Sequence, residues 1–308
     1  MSLYHELPKA ELHLHLEGSV TPDTMRELAP EASAGEIRER FRFSNFAGFL
    51  DCFKWVVERL RSAQDYALVT RRLLEALARQ NVSYAEITLS AGVVLWKQQD
   101  FATIYDAVQR EALQSPVQVQ WNLDAIRHFG AEHATQVAEL AAERVGQGVV
   151  SFGIGGDEQR GPAVWFGDVY HFARAHGLRL TAHAGETAGP ESVWNALRLG
   201  AERIGHGIRA AEDAELLRHL CSHDIPLEIC ISSNVATGAV RSLEAHPVRR
   251  LYDAGVPIVL NTDDPGLFST TLEREYEIAA NTFGFSESEL RQIAANAFRY
   301  AFRAKPPA

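Results

Sequence analysis

The chain has 308 residues, 46% hydrophobic and 23% charged, which is the balance of a globular protein with a substantial core rather than a disordered or fibrous one. A net charge of −10 leaves no basic stripe for a phosphate backbone, so nucleic acid is not an expected partner. Three scattered cysteines (Cys52, Cys221, Cys230) make neither a disulfide framework nor a thiolate zinc motif. With no membrane-length apolar run and no signal pattern, no membrane is expected either, and the reading is a reducing cytoplasm.

The first element is a strand over 10–16, in the run Ala10-Glu11-Leu12-His13-Leu14-His15-Leu16-Glu17-Gly18. Alternation along a strand puts His13 and His15 on one side and Leu12, Leu14 and Leu16 on the other. Thr21-Pro22-Asp23 reads as a helix start, with Thr as cap and Pro in the first position. An aromatic segment follows, in which Phe46, Phe49 and Phe53 fall at helical spacing. They are expected to pack on the fold, to form an apolar lid that sandwiches a flat ligand, or both.

From there strand-like runs at 82–89, 117–125, 149–153, 178–183, 203–206, 226–230 and 257–260 alternate with helical patterns. The helices are expected at 64–80, 101–114, 132–145, 165–176, 190–199 and 211–220. Eight β–α units predict a (β/α)8 TIM barrel, one α/β domain over 1–308, with a short helical aromatic insertion after the first strand. An open doubly wound sheet is the alternative, but no GxGxxG follows the first strand.

Active sites of such barrels lie at the C-terminal ends of the strands, and the unusual polar residues of this chain recur there. They are His13, His15 and Glu17 after the first strand, Gly155-Gly156-Asp157-Glu158 after the fourth and His183-Ala184-Gly185-Glu186 after the fifth. His206 sits in Ile204-Gly205-His206-Gly207 at the sixth, and the eighth runs into Asn261-Thr262-Asp263-Asp264-Pro265. His13, His15, His183 and Asp263 offer three imidazoles and a carboxylate, a donor set suited to catalytic zinc, which brings the pKa of bound water to roughly 7. Glu186, His206 and Asp264 remain as proton-transfer and substrate-orienting groups. The constellation is hydrolytic. Asp157 and Glu158 read as structural, and Ser232, Ser233 and Asn234 as braces at the seventh strand's end.

These residues carry a resemblance. The chain is similar to the adenosine deaminase family of the amidohydrolase superfamily through HLHLEGS at 13–19, GGDE at 155–158, HAGE at 183–186, GHG at 205–207, SSNVATGAV at 232–240 and NTDDP at 261–265. HAGE with NTDDP is highly specific; GGDE or GHG alone is weak. The resemblance implies that His13, His15, His183 and Asp263 bind zinc, with His15 also facing the substrate. It implies that Glu186 protonates purine N1, that His206 orients the attacking water and shuttles its proton, that Asp264 contacts N7 and that the Gly156 N–H meets N3. Binuclear relatives bridge two metals with a modified lysine on the fourth strand. Here Lys9, Lys54, Lys97 and Lys305 are the only lysines, none of them near 149–156, so one zinc per chain is expected.

Glu17 departs from the family pattern, where adenosine-specific members carry aspartate against the ribose 5′-hydroxyl; glutamate is more typical of relatives acting on adenine or other adenine derivatives. The expected substrate is a 6-aminopurine nucleoside, adenosine or a 5′-modified one such as aminodeoxyfutalosine. For the latter the lid aromatics and Arg127 or Arg160 are candidate contacts. Free adenine is the alternative, followed by a mononuclear amidohydrolase acting on another C–N bond, an amide- or phosphoester-cleaving enzyme and a metal-stabilised binding protein. The H-x-E with PCxxC signature of cytidine-type deaminases is absent.

Overall fold

The computed structural model describes residues 3–303. Eight parallel strands follow one another around a barrel: β1 (Lys9–His15), β2 (Val82–Leu89), β3 (Gln118–Ile126), β4 (Val149–Gly155), β5 (Arg179–Ala184), β6 (Arg203–His206), β7 (Leu227–Ile229) and β8 (Ile258–Leu260). Each pairs with the next in parallel, as β–α alternation requires, since the crossover helix returns the chain to the same edge. The ring closes between the first strand and the residues after the last. His15 N donates to Asp263 O at 2.8 Å, and Asp263 N to His13 O at 3.1 Å. This closure places the first motif beside the last, although about 250 residues separate them in the chain.

One expectation about β1 needs correction. His13 and His15 do share a side, their ring centroids 5.4 Å apart. Leu12, however, does not join Leu14 and Leu16; it packs with Ala10, Tyr84, Val259 and Ala297, while Leu14 and Leu16 belong to the main core. The reason is a register shift between Glu11 and Leu14, where Asn261 Oδ1 accepts the N–H groups of Leu12 (2.8 Å) and His13 (3.1 Å) in place of a neighbouring strand. Such a bulge breaks simple alternation.

The insertion between β1 and β2 is longer than the sequence suggests: helices Pro22–Leu28, Ala34–Arg40 and Phe46–Val57 precede the barrel helix Ala63–Arg79. Thr21 caps the first of these, its hydroxyl accepting from Thr24 N at 3.2 Å. Asn45 caps the aromatic helix Phe46–Val57 through Gly48 N at 2.9 Å. The barrel interior holds a buried ion cluster instead of a purely apolar plug. Arg203 donates to Glu228 at 2.6 Å and to Glu86 at 2.5 Å, and its guanidinium lies 3.5 Å from the centroid of the Phe302 ring. Breaking one partner of such a cluster strands a charge in the core and costs about 3–5 kcal/mol. Among the described residues no helix is long and apolar enough to cross a membrane.

Candidate active site

At the C-terminal end of the barrel, residues from β1, β5, β6 and the segment after β8 converge at the floor of a cavity of about 420 Å³. His15 Nε2 lies 3.0 Å from His183 Nε2 and 3.4 Å from Asp263 Oδ1, and His13 Nε2 is 3.4 Å from the same oxygen. Donor atoms of His13, His183, His206 and Asp263 all fall within 4.8 Å of one another, so five groups, His15 included, surround one point.

The donors fit a divalent cation. His13 Nε2 is buried without a hydrogen-bond partner, while its Nδ1 is held by Glu228 at 2.9 Å. His183 Nδ1 donates to Ile154 O at 3.1 Å, which leaves its Nε2 lone pair directed at His15. Burial and the neighbouring His13 hold the His183 pKa well below the ordinary imidazole range, so the ring is in its neutral, ligating form. Burial works against ionisation of Asp263, yet the adjacent His13 and the other surrounding imidazoles hold it ionised, well below the usual carboxylate range. Ser233 Oγ donates to the other oxygen of Asp263 at 2.6 Å.

Beside this cluster stand two carboxyls of the opposite character. Burial, and then the charge of Asp263, push Glu186 up to about 8. Its Oε1 accepts from Asn234 Nδ2 (3.4 Å) and Thr237 Oγ1 (3.3 Å), so a proton on Glu186 sits on Oε2, which faces His206 Nε2 at 3.7 Å. Asp264 is likewise raised well above the carboxylate range by burial and by Asp263, and its Oδ1 has no partner in the protein. Two adjacent aspartates thus differ in charge state because one lies among imidazoles and the other against its neighbour.

Backbone strain marks two of these positions. His206 (φ 62°) and Asp263 (φ 65°) occupy the left-handed region that non-glycine residues avoid. The HAGE loop is held by Glu158, as its structural reading anticipates. Its carboxylate accepts the N–H groups of Gly185 (2.7 Å), Glu186 (2.9 Å) and Thr187 (2.8 Å). Asp157, also read as structural, does not pair with Glu158; its carboxylate accepts from Gln159 N and its carbonyl from Arg160 N.

Phe46, Phe49 and Phe53 line the cavity as one face of the aromatic helix, and Gly156 lines its far wall. Glu17 does not line it. It is fully buried behind the wall, where its Oε1 accepts from Ser90 N at 3.1 Å. Arg127 is also buried away from the cavity, bonded to the Gly161 and His183 carbonyls, and Arg160 is exposed and not part of the lining.

Several functional candidates escaped the sequence reading. Asp124, at the end of β3, faces the cavity with Oδ1 unpartnered; burial and Glu17 raise it to about 8. The signal was there: Gln118, Gln120, Asn122 and Asp124 alternate with apolar residues along the strand. Glu228 in the fully buried strand Leu227–Ile229 was a similar signal, since an ionised carboxylate in a core needs partners. His246, behind the site, offered none.

Comparison with known proteins agrees with this geometry. A family profile described as adenosine deaminase matches residues 8–307. Aminodeoxyfutalosine deaminase of Streptomyces avermitilis is 40% identical over 310 residues, covering 96% of this chain and 87% of that protein. Adenine deaminase of Rhizobium leguminosarum bv. trifolii is 36% identical over 305 residues, covering 96% and 95%. Among solved structures, adenine deaminase from Arthrobacter aurescens superposes with a TM-score of 0.90 at 29% identity, covering 96% of this chain and 94% of that one. A barrel whose motifs meet in family order around one donor cluster, matched along nearly its whole length, identifies the chain as a member of the adenosine deaminase family.

Proposed function

We propose that this chain is a hydrolase that deaminates a 6-aminopurine, using one zinc ion held by His13, His15, His183 and Asp263. The observation that carries the reading is the pairing of an ionised Asp263 in the donor cluster with a protonated Glu186 facing His206 across the same floor. A zinc ion there supplies a Lewis acid that makes hydroxide available near neutral pH. Glu186 Oε2 gives its proton to ring nitrogen N1 as the water oxygen adds to the amino-bearing carbon. His206, opposite, orients that water, Asp264 holds N7 and the Gly156 N–H meets N3. One proton of the water goes to the amino group and the other restores Glu186; the C–N bond breaks, ammonia leaves and the ring keeps the oxygen as a carbonyl. The absence of lysine from Val149–Gly155 supports a single metal. Three free cysteines are in keeping with a reducing cytoplasm.

The substrate is a nucleoside rather than the free base. An apolar passage lined by Phe49, Phe53, Trp96 and Phe129 belongs to the same cavity as the donor cluster, and the exposed Lys54 lines it as well. A substituent with a flat apolar group fits this passage, as in a 5′-modified adenosine such as aminodeoxyfutalosine. A second reading, free adenine, is favoured by Asp124, a carboxyl among the residues lining the cavity that can accept a hydrogen bond from an N9–H. Ammonia release measured with adenine, adenosine, deoxyadenosine, methylthioadenosine and aminodeoxyfutalosine tests both. Turnover of none of them overturns the deaminase reading, and a preference for adenine overturns the nucleoside one.

A further inference from the structure

His206 is connected to a run of buried groups whose hydrogen positions the heavy-atom geometry determines. Val248 N lies 3.1 Å from His246 Nδ1. A backbone N–H can only donate, so Nδ1 accepts and the neutral His246 ring carries its hydrogen on Nε2. That nitrogen is 3.2 Å from Asn234 Oδ1, which orients the carboxamide with its oxygen toward His246 and its NH2 away. The NH2 group reaches His206 Nδ1 at 3.0 Å and Glu186 Oε1 at 3.4 Å, one hydrogen for each. An amide donating to Nδ1 leaves no room for a hydrogen on that nitrogen. His246, Asn234 and His206 are all buried, so solvent offers no competing partner.

We propose that His246 and Asn234 are positioning residues that hold His206 in the Nε2–H tautomer, so that it meets the attacking water as a hydrogen-bond donor and not as the acceptor of its proton. The Nε2 so protonated is the nitrogen that faces Glu186 Oε2 at 3.7 Å and Asp263 Oδ2 at 3.9 Å. A ring nitrogen bearing hydrogen cannot ligate a metal, and Nδ1 is occupied by Asn234. The relay therefore separates His206 from the ligand set although its atoms lie within the cluster, and leaves the fourth ligand place to His15. The role assigned to His206 rests on the deaminase reading above; the tautomer itself does not.

The test is the histidine 15N spectrum of the zinc-loaded protein, with His206 assigned by the resonances that vanish in His206→Gln. A pyridine-like Nδ1 and a pyrrole-like Nε2 are expected. Asn234→Asp replaces the amide donor with an acceptor, so the hydrogen moves to Nδ1, and kcat falls about 10–100-fold with KM changed far less. His246→Ala frees the carboxamide to turn and yields a mixture of tautomers. His246→Gln, which keeps a donor near the Nε2 position, restores the wild-type spectrum. A pyrrole-like Nδ1 in the wild type, or an unchanged tautomer in Asn234→Asp, overturns the relay. The Nε2–H tautomer in a protein that deaminates no aminopurine upholds the relay and overturns the deaminase reading.

Discussion

A Cβ placed on Gly18 would stand 1.6 Å from Oδ1 of Asp264, so the carboxyl that faces the cavity occupies the space that a side chain on the first strand's loop would need. The two residues are linked by backbone as well, since the Gly18 carbonyl accepts from Gly266 N at 3.0 Å. Gly18→Ala is expected to displace Asp264 and lower kcat/KM about 100-fold, since small misplacements of an orienting group carry losses of that order. Overpacking adds a stability cost of about 1–3 kcal/mol, read as a lower Tm. A variant with wild-type kinetics removes Asp264 from substrate binding.

Glu186→Gln keeps the shape of the side chain and its contacts to Asn234 and Thr237 but has no proton to give. Metal content should stay at the wild-type level while kcat falls about 10²–10⁴-fold. Because burial and Asp263 raise the pKa to about 8 and the acid form is the working one, activity declines as pH rises through that value. The decline should be missing from the residual activity of the Gln variant. A pH profile that survives the substitution unchanged assigns the acid to another residue.

Metal binding is expected to be pH-dependent through His13. Burial opposes a charge on this ring, but the Asp263 carboxylate beside it and its bond to Glu228 outweigh burial and raise its pKa to about 10. Near neutral pH a cation must therefore displace a proton. Zinc affinity measured by chelator competition should rise about tenfold per unit between roughly pH 7 and 9. Asp263→Ala removes both the ligand and one of the groups that raise His13, and should lose metal and activity together. Retained zinc in that variant excludes Asp263 from the ligand set.

Lys54 is the one Lys or Arg side chain lining the cavity among the described residues. It is 65% exposed, with a distant partner in Asp51 at 3.9 Å. The floor beneath it carries Asp124, Glu186, Asp263 and Asp264. As the one cationic side chain among the lining residues, Lys54 draws an anionic group on a substrate toward its end of the cavity. Lys54→Glu should lower kcat/KM for a nucleoside with an anionic tail relative to adenosine by about fivefold or more, an effect that shrinks in high salt. An unchanged ratio shows that Lys54 does not read the substituent.

Much of this protein was legible in one dimension. The strand runs at 82–89 and 203–206 coincide with β2 and β6, because the alternation with amphipathic helical patterns on either side leaves these short runs as the strands. The donor types of the metal site were readable for a related reason: buried histidines and carboxylates at strand ends are costly unless they bind something. The irregularity of β1 was not readable, since it depends on the Asn261 side chain arriving from the far end of the chain.

Residue type and strand position by themselves determined the barrel, the hydrolytic chemistry and the identity of His13, His15, His183, Glu186, His206, Asp263 and Asp264 as its candidates. Tertiary structure alone decided what each group is free to do. It took Glu17 out of the cavity and brought Asp124 in. It made Asp263 an anion and Asp264 a neutral acid, although the two are adjacent and chemically identical. It also set the hydrogen of His206 through Asn234 and His246. Charge state and tautomer depend on burial and on partners from distant strands, and no local pattern of residues records who those partners are.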